Sequence, residues 1–242
     1  MKLPWRMTKM IVYGKSVLDE IMRTRYPVRK IYLKESDDDK FKGIEQLLRN
    51  YNYPYTYTTP KHLEKLCGEE KNQGIVIDLD FHYSDEGSLE GNLIVLLDHV
   101  VDPHNLGAII RTSVGAGASA VVITKDRSAK VTAAVVKVSA GTVFRIPIVI
   151  VTNLANTIER LQKRGYWVYG ADMHGKNLFE ERFISPVAVV FGNEGEGLSR
   201  LVRERCDQLI SIPMFSSIDS LNVSVSAGIV LFEIARKCFT PN

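Results

Sequence analysis

Three stretches in the second half of this 242-residue chain combine amide, carboxylate, hydroxyl and guanidinium groups with a glycine-rich backbone. In the first, Asn105-Leu106-Gly107-Ala108-Ile109-Ile110-Arg111, Asn105 is a natural helix N-cap. Arg111 follows six residues later, near enough to a multiple of 3.6 to project from a neighbouring part of the helix surface. A capped helix with one surface arginine is the plain alternative. In the second, Phe191-Gly192-Asn193-Glu194-Gly195-Glu196-Gly197-Leu198, three glycines let the backbone turn tightly and approach a ligand. The Glu194 carboxylate could accept hydrogen bonds from a ribose or orient a cation, although a flexible strand-to-helix loop has the same composition. In the third, Ile212-Pro213-Met214 and Ser220-Leu221-Asn222-Val223-Ser224 bracket a polar loop. Its backbone could hold an adenine edge, or Asn222 could simply cap the next helix.

Each stretch adjoins an apolar run, which is where α/β proteins build sites from loop backbone. The runs at 93–97, 120–123, 166–169, 187–191 and 209–212 are nearly unbroken, as expected of parallel strands buried on both faces. Helices are expected between them at 105–114, 131–140, 154–164, 198–206 and 223–237. The first third of the chain alternates differently. A helical pattern from Ser16 (Val17, Leu18, Ile21, Met22) leads to a strand at 31–33, and a second helix carries Phe41, Ile44, Leu47 and Leu48. A β-prone segment at 55–58, a short helix at 60–66 opened by Thr59 and Pro60, and a strand at 74–77 complete a small α/β unit. Residues 82–91 are polar and carry two glycines, the composition of an exposed connection. The expected organisation is a domain over 1–80, a linker over 81–91 and a larger, mostly parallel α/β domain over 92–242.

Charge is close to balanced, 31 basic against 28 acidic residues, so attraction to nucleic acid must come from local clustering. Residues 1–34 supply such a cluster: Lys2, Arg6, Lys9, Lys15, Arg23, Arg25, Arg29, Lys30 and Lys34 against Asp19 and Glu20. A solvated helix face is the alternative reading. Tyr26, Tyr32, Tyr51, Tyr53, Tyr55 and Tyr57 could stack on unpaired bases, or serve as ordinary core and strand residues. The acidic run Asp37-Asp38-Asp39 reads as a solvated turn. Cys67, Cys206 and Cys238 are far apart, which suggests neither a disulfide framework nor a zinc ribbon and fits a reduced cytoplasm. The five histidines have no ligand spacing, so no metal is expected. No signal peptide is evident, and no stretch reaches the roughly 20 apolar residues that span a bilayer. Gly115-Ala116-Gly117-Ala118-Ser119-Ala120 mimics a dinucleotide fingerprint but follows a helix and precedes a strand, the reverse of what that loop needs. Gly14-Lys15-Ser16 resembles the end of a P-loop, yet Lys9 stands where its first glycine is required.

As a set, in this order, the three stretches resemble the motifs of the SpoU/TrmH family of the SPOUT superfamily, over roughly residues 92–238. Asp102-Pro103-His104-Asn105-Leu106-Gly107, Lys125-Asp126-Arg127-Ser128-Ala129 and Ser220-Leu221-Asn222-Val223-Ser224-Val225 are most similar to the branch that methylates a guanosine of large-subunit (23S) ribosomal RNA. Gly14-Lys15 and Asn72-Gln73-Gly74-Ile75-Val76 resemble the small L30e-like RNA-binding domain preceding the catalytic domain in that branch. The resemblance implies an α/β-knot (trefoil-knotted) catalytic domain, S-adenosylmethionine as cofactor, an RNA ribose 2′-hydroxyl as acceptor, and a homodimer. It implies catalytic roles for Asn105, Arg111, Glu194, Ser220 and Asn222, and cofactor contacts for Gly192, Ile212, Met214 and Leu221. Arg111 would activate electrostatically, because a guanidinium is a poor general base. Asn193 stands where many relatives have a smaller residue. The competing readings are a transfer RNA 2′-O-methyltransferase, a non-catalytic RNA-binding ribosome-assembly factor, and a small-molecule nucleotide enzyme.

Overall fold

The computed structural model describes residues 7–36, 39–217 and 220–239. Lys2, Arg6, Asp37 and Asp38, which carried expectations above, lie outside the described residues. Two compact units divide the chain: one joins the N-terminal stretch through His82 to residues 131–145, and the other takes residues 83–130 and the chain from Ile146 onward.

The first unit is built on a mixed sheet in the order β1(Met7–Tyr13)-β4(Ile75–His82)-β2(Lys30–Lys34)-β3(Tyr55–Thr58). β4 runs antiparallel to both β1 and β2, and β3 is parallel to β2. Helices α1(Lys15–Thr24), α2(Asp39–Asn50) and α3(Pro60–Cys67) follow their strands as the periodicity predicts. α1 buries Val17, Leu18 and Ile21, which contributes up to roughly 1.5–3 kcal/mol for each side chain. α3 begins where Thr59 and Pro60 signal it, with the Thr59 side chain accepting from the His62 N–H. β1 has no counterpart in the sequence reading: its alternation of exposed and buried positions is short, with only Met10 and Val12 fully inside.

Residues 131–145 complete this unit, although the sequence reading assigned them to the C-terminal part. Phe144 lies against Tyr26 and Phe81 at ring-centroid separations of 4.7 and 6.2 Å. Lys137 Nζ sits 5.0 Å above the Tyr13 ring, and Arg145 pairs with Glu20 at 3.7 Å. The helix expected over 131–140 is only α5(Ala133–Val138), because Ala140 and Gly141 both take left-handed φ values, 52° and 84°, and turn the chain into a 3-10 segment.

The second unit has a six-stranded, wholly parallel sheet ordered β10(Gln208–Ser211)-β8(Trp167–Asn177)-β9(Val187–Phe191)-β5(Leu93–Leu97)-β6(Ala120–Thr124)-β7(Ile148–Val151). The central strands are buried on both faces, which explains their unbroken apolar sequence. Ile94, Leu96, Val122 and Val190 meet Leu154, Ile158 and Leu161 of α6(Leu154–Lys163) in the core. α4(Pro103–Gly115) and α8(Val223–Cys238) pack on each other, and α7(Arg200–Arg205) packs beside α6. β8 is longer than its apolar run because its second half pairs with β10 across a register shift, where Gly175 lies so close to the Ile210 backbone that a Cβ would overlap it. Because all six strands are parallel, the segments leaving β5, β6, β9 and β10 emerge at one edge of the sheet, the usual place for a site in such folds.

Candidate active site

β9 ends at Phe191, and the glycine-rich segment that follows closes on itself: the Asn193 and Gly197 N–H groups each donate to the other's carbonyl, at 2.9 and 3.0 Å. A Cβ on Gly192 would overlap the Gly197 carbonyl carbon and the Leu198 nitrogen, so only glycine lets the two arms meet. The neighbouring strand fixes this loop at both ends. Asp98, just past β5 and 1% exposed, accepts the Ser199 N–H at 2.7 Å on one carboxylate oxygen and faces His99 Nδ1 at 2.7 Å with the other. The His99 carbonyl accepts from Asn193 Nδ2 at 2.8 Å, while Asn193 Oδ1 accepts from the Gly195 and Glu196 N–H groups at 2.9 and 3.4 Å.

Glu194 is thereby held at the tip of the loop, where Asn105 Nδ2 donates to its carboxylate at 2.9 Å. Asn222 Nδ2 donates to Asn105 Oδ1 at 3.0 Å, and Asn222 Oδ1 in turn accepts the Ser224 N–H at 2.9 Å and hydroxyl at 2.6 Å. Asn222 is the N-cap of α8, as its position suggests. Asn105 is not the N-cap of α4. Asp102 takes that role by accepting the His104 N–H at 2.9 Å, with Pro103 as the first helical residue. The helix therefore starts two residues earlier than the sequence indicates, and Asn105, 7% exposed, turns its whole amide toward Glu194 and Asn222.

A cavity of about 730 Å³ opens beside this chain of hydrogen bonds. Gly192, Glu194, Ile212, Met214, Ser220 and Leu221, all singled out in the sequence, line it. Asn105 and Asn222 are outside the lining and act through Glu194 and the start of α8. Arg111 is neither in the lining nor bonded to any of these residues. It is exposed on α4 and forms no hydrogen bond or ion pair among the described residues. Six residues at about 100° each carry it roughly a third of the way round the helix from buried Asn105, so the two side chains leave α4 in different directions.

Sequence reasoning missed four contributors. Asp172, near the middle of β8, pairs with Arg203 of α7 at 2.8 Å, and both line the cavity. Asp98 and His99 brace the glycine loop. Only the position of Asp172 and Asp98 just beyond apolar runs could have drawn attention to them. With Glu194 and Glu196, the charged lining among the described residues is three carboxylates against one guanidinium, a balance that favours a ligand with net positive charge.

In the first unit, the two phrases that resembled an RNA-binding domain meet: Lys15 N–H donates to Gln73 Oε1 at 2.7 Å and Gly14 N–H to the Ile75 carbonyl at 3.1 Å. Not all of the expected contact residues are available. Arg29 pairs with Asp78 and, at 2.9 Å, with Asp80. Tyr26 and Tyr53 donate to backbone carbonyls, and Tyr55 and Tyr57 to Glu45. Tyr51 remains 46% exposed, with the Arg25 guanidinium 5.8 Å from its ring centroid.

Comparison with known proteins agrees along the whole chain. Residues 92–232 match the SpoU rRNA Methylase family, and residues 11–83 match the family described as RNA 2'-O ribose methyltransferase substrate binding. The 23S rRNA (guanosine-2'-O-)-methyltransferase RlmB of Photobacterium profundum is 40% identical over 96% of this chain and 99% of its own length. The protein of that name from Neisseria meningitidis serogroup B is 39% identical over 93% and 94%. Among solved structures, the SpoU methyltransferase AviRb from Streptomyces viridochromogenes, in complex with the cofactor AdoMet, superposes with a TM-score of 0.82 at 26% identity, covering 95% of this chain and 90% of that one. The fold, the sequence motifs and these relatives agree, and the chain belongs to the SpoU rRNA Methylase family.

Proposed function

We propose that this protein transfers a methyl group from S-adenosylmethionine to a ribose 2′-hydroxyl of RNA, specifically a guanosine in 23S ribosomal RNA. The observation that carries the reading is the convergence of Glu194, Asn105 and Asn222, drawn from three distant segments, at the rim of a cavity lined by Gly192, Ile212 and Leu221. The cavity suits the cofactor: its net acidic lining matches a sulfonium, and the closed glycine loop offers backbone polar groups at close range. Gly192, Ile212, Met214 and Leu221 hold the cofactor, which supplies an electrophilic methyl group when bound.

The chain's own residues have two tasks, to aim the acceptor oxygen and to weaken its bond to the proton. Glu194, held by Asn105, receives the ribose, and Ser220 and Asn222 shape the approach. Arg111 stabilises the developing alkoxide or the adjacent phosphate from a second subunit. The outer face of α8 supports that role: Val225 and Phe232 are 51% and 55% exposed, and the Phe232 ring abuts Gly115, one helical turn beyond Arg111. A homodimer formed through this face would cover the apolar stripe and bring Arg111 to the partner subunit's cavity. The N-terminal unit, the stretch through His82 with residues 131–145, serves as the RNA-binding domain, and the unit of residues 83–130 and the chain from Ile146 onward is the catalytic domain. The protein works in the cytoplasm, on ribosomal RNA; among the described residues no helix is long and apolar enough to cross a membrane.

The deciding experiment incubates the protein with S-adenosylmethionine and unmodified 23S ribosomal RNA and maps ribose methylation by mass spectrometry. One guanosine becomes methylated with wild type, whereas Arg111→Ala binds cofactor yet turns over about 10²–10³-fold more slowly. RNA that is bound but left unmodified by wild type would favour an assembly factor.

A further inference from the structure

The dipeptide His99-Val100 has a neighbour on each side. The His99 carbonyl accepts from Asn193 of the glycine loop, and the Val100 carbonyl accepts the Ala129 N–H at 2.9 Å from the segment between β6 and α5. Residues 125–130, at the same edge of the sheet as the cavity, are thus tied through His99-Val100 to its glycine loop, although none of them lines it. This segment is anchored throughout. Lys125 N–H donates to the Val151 carbonyl at 2.8 Å, and Lys130 Nζ to the Thr124 carbonyl at 2.8 Å. The Thr124 hydroxyl contacts the Asp126 carbonyl at 3.2 Å and bonds the Ser128 hydroxyl.

At its crest is Arg127, exposed, with φ at 50°. An unbranched stretch of polar loop with no need of a side chain there would favour glycine or asparagine. Arg127 forms no hydrogen bond, ion pair or ring contact among the described residues that would account for it. Lys125 is exposed beside it, and the segment carries Lys125, Arg127 and Lys130 against Asp126 alone. A rigid segment that holds an unpartnered guanidinium in a disfavoured conformation, at the same edge of the sheet as the cavity, has the character of a contact for something outside the chain.

We propose that Arg127 grips a backbone phosphate of the substrate RNA flanking the methylated nucleotide, with Lys125 adding to the local positive charge. This rests on the reading of the cavity as a 2′-O-methyltransferase site and adds to it where the RNA strand leaves that site.

The test uses Arg127→Gly, which removes the guanidinium while suiting the left-handed backbone, and Arg127→Lys, which keeps the charge. Binding of in-vitro-transcribed 23S ribosomal RNA is measured by filter retention between about 50 and 200 mM salt. Arg127→Gly is expected to melt at or above the wild-type temperature, yet to bind RNA several-fold more weakly at low salt. Its plot of log affinity against log salt should be shallower by about 0.7–0.9, the share of one phosphate. Its KM for RNA should rise with little change in kcat, and its affinity for S-adenosylhomocysteine should stay at the wild-type value. Arg127→Lys should restore most of the salt slope. A wild-type slope in Arg127→Gly, or an equal loss of cofactor affinity, overturns the proposal. Because the slope is read from binding alone, it decides the phosphate contact whether or not methyl transfer is detected.

Discussion

Asn193 shows how much one side chain can organise. Its amide nitrogen reaches the His99 carbonyl just beyond the neighbouring strand, and its oxygen takes two N–H groups of its own loop. Each such bond contributes about 0.5–1.5 kcal/mol net. Asn193→Ala should therefore raise the dissociation constant for S-adenosylhomocysteine by roughly tenfold or more, since 1.4 kcal/mol is a factor of ten. Titration calorimetry reads the change directly, and an unaltered constant would show that the Asn193–Gly197 backbone pair suffices without the side chain. Asn105 is different: it is outside the cavity lining and fixes Glu194. Asn105→Ala should leave cofactor affinity near wild type while kcat falls about 10²-fold, a split that equilibrium binding and single-turnover kinetics together resolve.

Among the elements, the β9-to-α7 connection depends on Gly192. A side chain there pries Gly197 away, so Gly192→Ala should abolish cofactor binding while the circular-dichroism spectrum stays native, because β9 itself is untouched. In the first unit, β3 and α2 are joined by a carboxylate network. Tyr57 and Tyr55 donate to Glu45 at 2.6 and 2.7 Å, Arg49 adds two further bonds, and the Glu45 pKa falls to about 2 while that of Tyr57 rises to about 12. For Glu45, depressed from 4.5, the stabilisation is complete above the unfolded value and disappears as pH falls toward 2. For Tyr57, raised from 10.0, it is present below that value and is lost as pH rises through about 12. Thermal melts of Tyr57→Phe and wild type should thus differ most between about pH 5 and 9 and converge only as pH falls to about 2 and below. A gap that stays constant into acid would mean that packing of the Tyr57 ring, rather than its bond to Glu45, supports β3.

On the scale of the whole molecule, the proposal that Arg111 serves the cavity of a partner subunit starts from an exposed Arg111 and a buried Asn105 on one helix. Arg111→Ala and Asn105→Ala, each nearly inactive alone, should recover part of the wild-type rate when mixed and allowed to exchange, since a mixed dimer contains one intact site. Phe232→Glu should shift the sedimentation coefficient toward the monomer by placing a charge in the apolar stripe on α8. Recovery of activity without any concentration-dependent association would contradict this arrangement.

Local chemistry along the chain determined most of the elements. Unbroken apolar runs marked β5 and β9 to the residue, Thr59-Pro60 opened α3, and Asn222 capped α8. These features depend on neighbours a few residues apart, and the sequence contains those neighbours in order. It also contained the residues that meet at the cavity, but not their roles. Whether Asn105 caps its own helix or holds Glu194 depends on contacts 89 and 117 residues away. Those contacts exist because β9 lies against β5, although β6, β7 and β8 separate them along the chain. The packing of residues 131–145 with the N-terminal strands and the outward face of Arg111 were likewise decided by the tertiary structure, because the order of strands in a sheet and the side of a helix left uncovered are set by which apolar surfaces bury each other.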